Sequence, residues 1–145
     1  MTPVTDQDLL RRFARPWRDV RFFVALVGGT LFGALLLRVD GETAAWQRIL
    51  SVGLLQPVVE EVVFRGLVQP GLRRAAWARR AAFGFSVANV VTSLVFGAAH
   101  LVYHDPAWAA AVIVPSLIFG YFRDRHGGIL SPVILHIAFN LSLLL

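Results

Sequence analysis

The chain has 145 residues, 57% of them hydrophobic, and a formal charge of +5 from 14 basic and 9 acidic side chains. Its mean hydropathy of +0.64 argues against an ordinary soluble domain, where roughly 45–50% apolar residues are usual. The absence of cysteine excludes disulfides, thiolate zinc sites and cysteine nucleophiles, and the lack of a basic face with interleaved aromatics excludes nucleic acid as a partner.

In chain order, residues 1–19 are polar and carry Arg11, Arg12, Arg15 and Arg18. The apolar run Val20–Leu37 approaches the ~20 residues of a spanning helix. No small-residue cleavage site follows it, so it reads as a retained first helix and not a signal peptide. A short mixed-charge loop, Arg38–Arg48, leads to a second run, Ile49–Leu72, interrupted by Gln56, Glu60, Glu61, Arg65 and Gln69. The basic connector Arg73–Arg80 precedes a third run, Ala81–Tyr103, closed by His104-Asp105-Pro106. A fourth, Ala107–Phe122, contains Pro115; the charged turn Arg123–Gly128 and a fifth run, Ile129–Leu145, complete the chain. No repeat, low-complexity tract or linker is expected. The fold class is therefore all-α, a transmembrane bundle of about five spans forming one domain over residues 1–145, with its motif-bearing core in 49–145.

Five spans fit the charges in one way. The N-terminal segment with Arg21 at the start of the first run, the Arg73–Arg80 connector and the Arg123–Arg125 turn fall on one side and hold eleven of the 14 arginines. Positive charge marks the cytoplasmic face, so the N-terminus is placed in the cytoplasm. The lipid bilayer is the expected surrounding, most simply a bacterial inner membrane.

A charge near mid-membrane costs at least ~2.5–3.5 kcal/mol on insertion scales, so it needs a partner or a purpose. Glu61 and Arg65 are four apart, acid before base, and predict an ion pair along one helix face. Glu60 is turned by about 100° from Glu61 and points to a different neighbour. His100 lies toward the outer end of the third run, one turn after Phe96. His136 and Asn140 share a face of the fifth. Taken singly, each has a bland reading: an ion pair locking helices, an interfacial histidine, a polar pair bridging helices for about 1 kcal/mol. Their convergence on one internal cavity is the simplest way to satisfy all of them.

Three segments carry a resemblance. Glu60-Glu61-Val62-Val63-Phe64-Arg65 resembles the EExxxR motif of the CPBP family, the CAAX-protease and bacteriocin-processing proteins also called Abi. Phe96-Gly97-Ala98-Ala99-His100 matches its FxxxH motif, and His136-Ile137-Ala138-Phe139-Asn140 its HxxxN motif. The resemblance runs from about Gln56 to Asn140. It implies a glutamic-type intramembrane protease in which Glu60 and His100 activate water, His136 and Asn140 form the oxyanion site, and Glu61 and Arg65 support Glu60. In size the chain looks similar to short bacterial members paired with C-terminal sorting tags, which makes a membrane-tethered protein the expected substrate.

The rival chemistries are fewer. Two histidines and one or two glutamates could ligate a catalytic zinc, but no HExxH is present, so no cofactor is expected. Serine chemistry lacks a GxSxG-type site, and aspartyl chemistry lacks intramembrane aspartates. A non-catalytic immunity or binding protein using the same cavity is the reading from a different class.

Overall fold

The computed structural model describes residues 14–36 and 46–145. The expectations for Arg11, Arg12 and most of the Arg38–Arg48 loop fall outside them. The described residues are helical apart from turns and one two-residue hairpin. Helix α1 is Val20–Leu36. Helix α2 runs continuously over 46–72. Helix α3 is Val87–His100, α4 is Pro106–His126 with a break at Val112, and α5 is Leu130–Leu144. The break in α4 lies where Pro115, without an N–H, cannot reach back to the Ala111 carbonyl.

Two expectations about the runs need correction. The third does not begin as helix at Ala81: Ala81–Ala82 pairs antiparallel with Phe85–Ser86. Between them Phe83 and Gly84 both take positive φ, 53° and 87°, the pattern of a tight hairpin turn. Ser86 then caps α3, its Oγ accepting from the Asn89 amide, and sequence hydropathy alone hides that switch. The supposed charged turn is also mostly helix. Arg123–His126 complete α4, which stops where Gly127 adopts the left-handed φ of 75°.

Helix α5 sits at the centre, packed by α1, α2 and α4, with α3 against α4. Gly29 and Gly33 of α1, one turn apart, allow this closeness: a Cβ at either would overlap Phe139 or Ser142 of α5. A hydrophobic cluster of Phe22, Phe119, Phe122 and Leu135 joins α1, α4 and α5, with Phe22 and Phe122 edge to face at 5.6 Å. Beside it, Asp19 ties the start of α1 to the end of α4: it accepts from Arg125 and, at 2.9 Å, from His126 Nε2–H. The Arg125 bond, opposed by burial and helped by His126, holds the Asp19 carboxyl at about 2.

Helix α2 is unusual along its length. Two seven-residue π-helical segments, Ile49–Leu55 and Val62–Val68, flank the α-helical Gln56–Glu61. Each precedes a proline by two residues, and each proline closes the same five-residue pattern: Gly53-Leu54-Leu55-Gln56-Pro57 and Gly66-Leu67-Val68-Gln69-Pro70. A proline inside a helix collides with the carbonyl four residues back, and widening the turn relieves the collision.

The interior of this fold is unusually polar, while large apolar side chains face outward. Among the described residues, twelve buried side chains are polar or charged, against eight hydrophobic ones and three prolines. Leu35, Leu55, Leu67 and Val114 meanwhile stand 63–77% exposed. By length and composition one described helix, Pro106–His126, is long and apolar enough to cross a membrane; Val20–Leu35, Val87–His100 and Leu130–Leu144 are apolar but shorter.

Candidate active site

The middle of α2 carries the acids. Glu61 is fully buried, and its Oε1 accepts from Arg65 at 3.1 Å, the pair that the four-residue spacing predicts. Arg65, equally buried, also donates to the Ser116 carbonyl at 2.9 Å and its hydroxyl at 2.5 Å. Its guanidinium lies 4.9 Å from the centroid of Phe96. That many fixed donors and ring contacts are what a charge removed from water requires.

His136 joins the two acids. Its Nδ1–H donates to Glu61 Oε1 at 2.9 Å, while its Nε2 lies 3.6 Å from Glu60 Oε2. The ring stacks on Phe119 at 4.8 Å. Glu60 and Glu61 therefore meet one imidazole on different nitrogens, where the sequence suggested separate neighbours. The acids also differ in access: the Glu60 side chain retains 18% exposure and that of Glu61 none. The other oxygen of Glu60, Oε1, accepts from Gln56 Nε2 at 2.9 Å. At 3.6 Å the Glu60–His136 pair is beyond a direct hydrogen bond, but a water to one side can touch both atoms.

The remaining two candidates stand apart from this cluster. His100 donates its Nδ1–H to the Phe96 carbonyl at 2.9 Å, lies over the Phe96 ring at 4.5 Å and stacks on His104. Among the described residues no hydrogen bond or ion pair joins it to Glu60. It is near the cluster through Phe96, whose ring is also 6.0 Å from that of His136. Asn140 does not bond to His136; its Nδ2 donates to the Val52 carbonyl of α2 at 2.9 Å. On the far side of the acids, Arg123 Nε donates to the Arg65 carbonyl at 2.7 Å. Among the described residues no three His, Asp or Glu side chains group as metal ligands do.

Sequence reasoning missed Gln56, Ser116 and Arg123. Gln56 was legible in principle, one turn before Glu60 in a helix. Ser116 and Arg123 meet Arg65 across 51 and 58 residues, and nothing local marks them.

Comparison with known proteins gives the family. No solved structure matches the chain. One similar protein, described as "Uncharacterized 24.3 kDa protein" from Escherichia coli, is 36% identical over 146 residues, which take in 92% of this chain and 64% of that protein. The chain thus spans a little under two thirds of that relative's length. Residues 42–142, which hold all three motifs, match the family described as type II CAAX prenyl endopeptidase Rce1-like. The chain belongs to that family, whose members are membrane proteases.

Proposed function

We propose that this protein is an intramembrane endopeptidase that uses Glu60 as the base for a water nucleophile. The observation that carries this reading is the single imidazole between two unequal carboxylates: His136 is fixed by buried Glu61 on one nitrogen and presents the other to accessible Glu60.

The steps follow from the donor inventory. Glu60 accepts a proton from a water held between its Oε2 and the His136 Nε2, and the hydroxide adds to the scissile carbonyl carbon. The oxyanion is met by the second amide N–H of Asn140, and by His136 Nε2–H when that ring carries both protons. Glu60 returns its proton to the leaving nitrogen as the C–N bond breaks. His100, with Nδ1–H committed to the Phe96 carbonyl, keeps Nε2 as an acceptor for the water's second O–H when His136 carries both protons and its Nε2–H donates to that water. Arg65 and Glu61 fix the His136 ring. A single domain over 1–145 carries all of these groups, and no metal cofactor takes part.

The substrate class is a membrane-tethered protein cut near its C-terminus, of which a sorting-tagged protein is the first choice. Supporting this, the site lies on helices whose outward faces are apolar. The five helices span a bacterial cytoplasmic membrane with the N-terminus in the cytoplasm. At ~1.5 Å per residue the 14- to 17-residue helices fall short of the ~30 Å hydrocarbon, so the bilayer thins around them or the flanking turns complete the crossing. The natural lack of cysteine makes this topology easy to probe. Gly128→Cys, at an unhindered site, is expected to react with an impermeant maleimide from the cytoplasmic side, and Tyr103→Cys, 87% exposed, from the other. Labelling of both from one side removes the five-span arrangement.

The activity is tested by profiling protein C-termini in membranes that contain wild type or Glu60→Ala. A membrane protein shortened only with wild type, and still shortened in the presence of a chelator, is expected. No difference between the two favours the non-catalytic binding reading, and loss with chelator favours a metal.

A further inference from the structure

The two wide turns of α2 leave matching gaps in its hydrogen bonding. In Ile49–Leu55 the last amide bond runs from Gln56 N–H to the Ser51 carbonyl. The next in that register would run from residue 57 to Val52, but residue 57 is proline and has no N–H. In Val62–Val68 the last bond runs from Gln69 N–H to Phe64, and the next would run from Pro70 to Arg65. Both carbonyls nevertheless have a donor, each from another helix: Asn140 of α5 at Val52, and Arg123 of α4 at Arg65. Two independent gaps, made by two copies of one pentapeptide, are filled in the same way. Glu60 and Glu61 lie between them.

We infer that Asn140 and Arg123 are positioning residues, which hold α2 by the two carbonyls that Pro57 and Pro70 leave open. A buried backbone acceptor without a donor is costly, and lipid offers no water to replace one. Each clamp therefore resists rotation or sliding of α2, and together they set the acids against His136. Asn140 acts on the reaction through α2, not through the oxyanion alone. Only this last point rests on the peptidase reading; the clamps themselves do not.

The test is to give the missing N–H back. In Pro57→Ala, whether the turn stays wide or tightens to α, the Val52 carbonyl finds a donor in its own helix. Asn140→Leu alone is expected to lower the midpoint of thermal unfolding in detergent by roughly 3–10 °C, and by less than half as much in the Pro57→Ala background. Equal losses in both backgrounds overturn the clamp. Arg123→Met with and without Pro70→Ala repeats the design independently, and carries the test if Pro57→Ala does not fold; Arg123→Lys, which keeps a donor, is expected to retain most of the midpoint. With a cleavage assay, Pro57→Ala should also restore the share of turnover that Asn140→Leu loses through a shifted α2, leaving only the ~10²–10³-fold share of the missing oxyanion donor. Turnover that does not rise at all in the Pro57→Ala background while the midpoint recovers leaves Asn140 at the oxyanion only and overturns its positioning role in the reaction. Because the unfolding measurements need no substrate, a failed peptidase reading is distinguishable from a failed clamp.

Discussion

Glu60→Gln is expected to lower kcat for the cleaved substrate by about 10²–10⁴-fold, the range for removing a positioned general base, and to leave unfolding within about 0.5 kcal/mol of wild type. The two halves of this expectation come from different contacts. Glutamine keeps the size of the side chain, and its carbonyl oxygen still accepts from Gln56 Nε2, so the one strong hydrogen bond of Glu60 survives. What disappears is the oxygen facing His136 Nε2 as a proton acceptor. Glu60 is the partly exposed acid and anchors nothing else, so its loss is chemical and not structural. Purified protein in detergent, with cleavage and unfolding measured on one preparation, checks both. Near-normal turnover in this variant would falsify the assignment of Glu60 as base.

Arg65→Met should do the opposite, with a stability loss of about 3–5 kcal/mol, typical of removing one partner from a buried ion pair. Methionine can follow the aliphatic stem but replaces none of the bonds to Glu61, the Ser116 carbonyl and the Ser116 hydroxyl. Glu61, with no exposed surface, is left charged and short of a donor. The double variant Glu61→Gln/Arg65→Met removes the stranded charge and should recover part of the loss. Denaturant unfolding in detergent measures both. A single-variant loss under about 1 kcal/mol would mean that Glu61 is stabilised chiefly by His136.

The acids and imidazoles were legible in the sequence because charge inside an apolar run has few explanations. The Glu61–Arg65 pair followed from helical spacing alone. The all-helical class was legible too, but hydropathy could not separate Ala81–Ser86 from the helix after it, since Ala81, Ala82 and Phe83 are as apolar as a span. Only the positive φ at Phe83 and Gly84 shows the turn. His100 and Asn140 were expected beside Glu60 from the motifs and from the convergence of the polar groups on one cavity. Their partners turned out to be the carbonyls of Phe96 and Val52, and backbone acceptors carry no sequence signature. The repeated Gly-Leu-x-Gln-Pro was in plain view, but at five residues it is too short to read as a repeat until its two turns are seen to open alike.

The bond between His136 and Glu61 reaches beyond stability. An imidazole free to turn over would present nitrogen half the time and carbon the other half. Here Nδ1 is held by Glu61 and the ring face by Phe119, so turning over costs a buried hydrogen bond and a stacked contact. The same nitrogen faces Glu60 at all times, and the site has its handedness before anything binds.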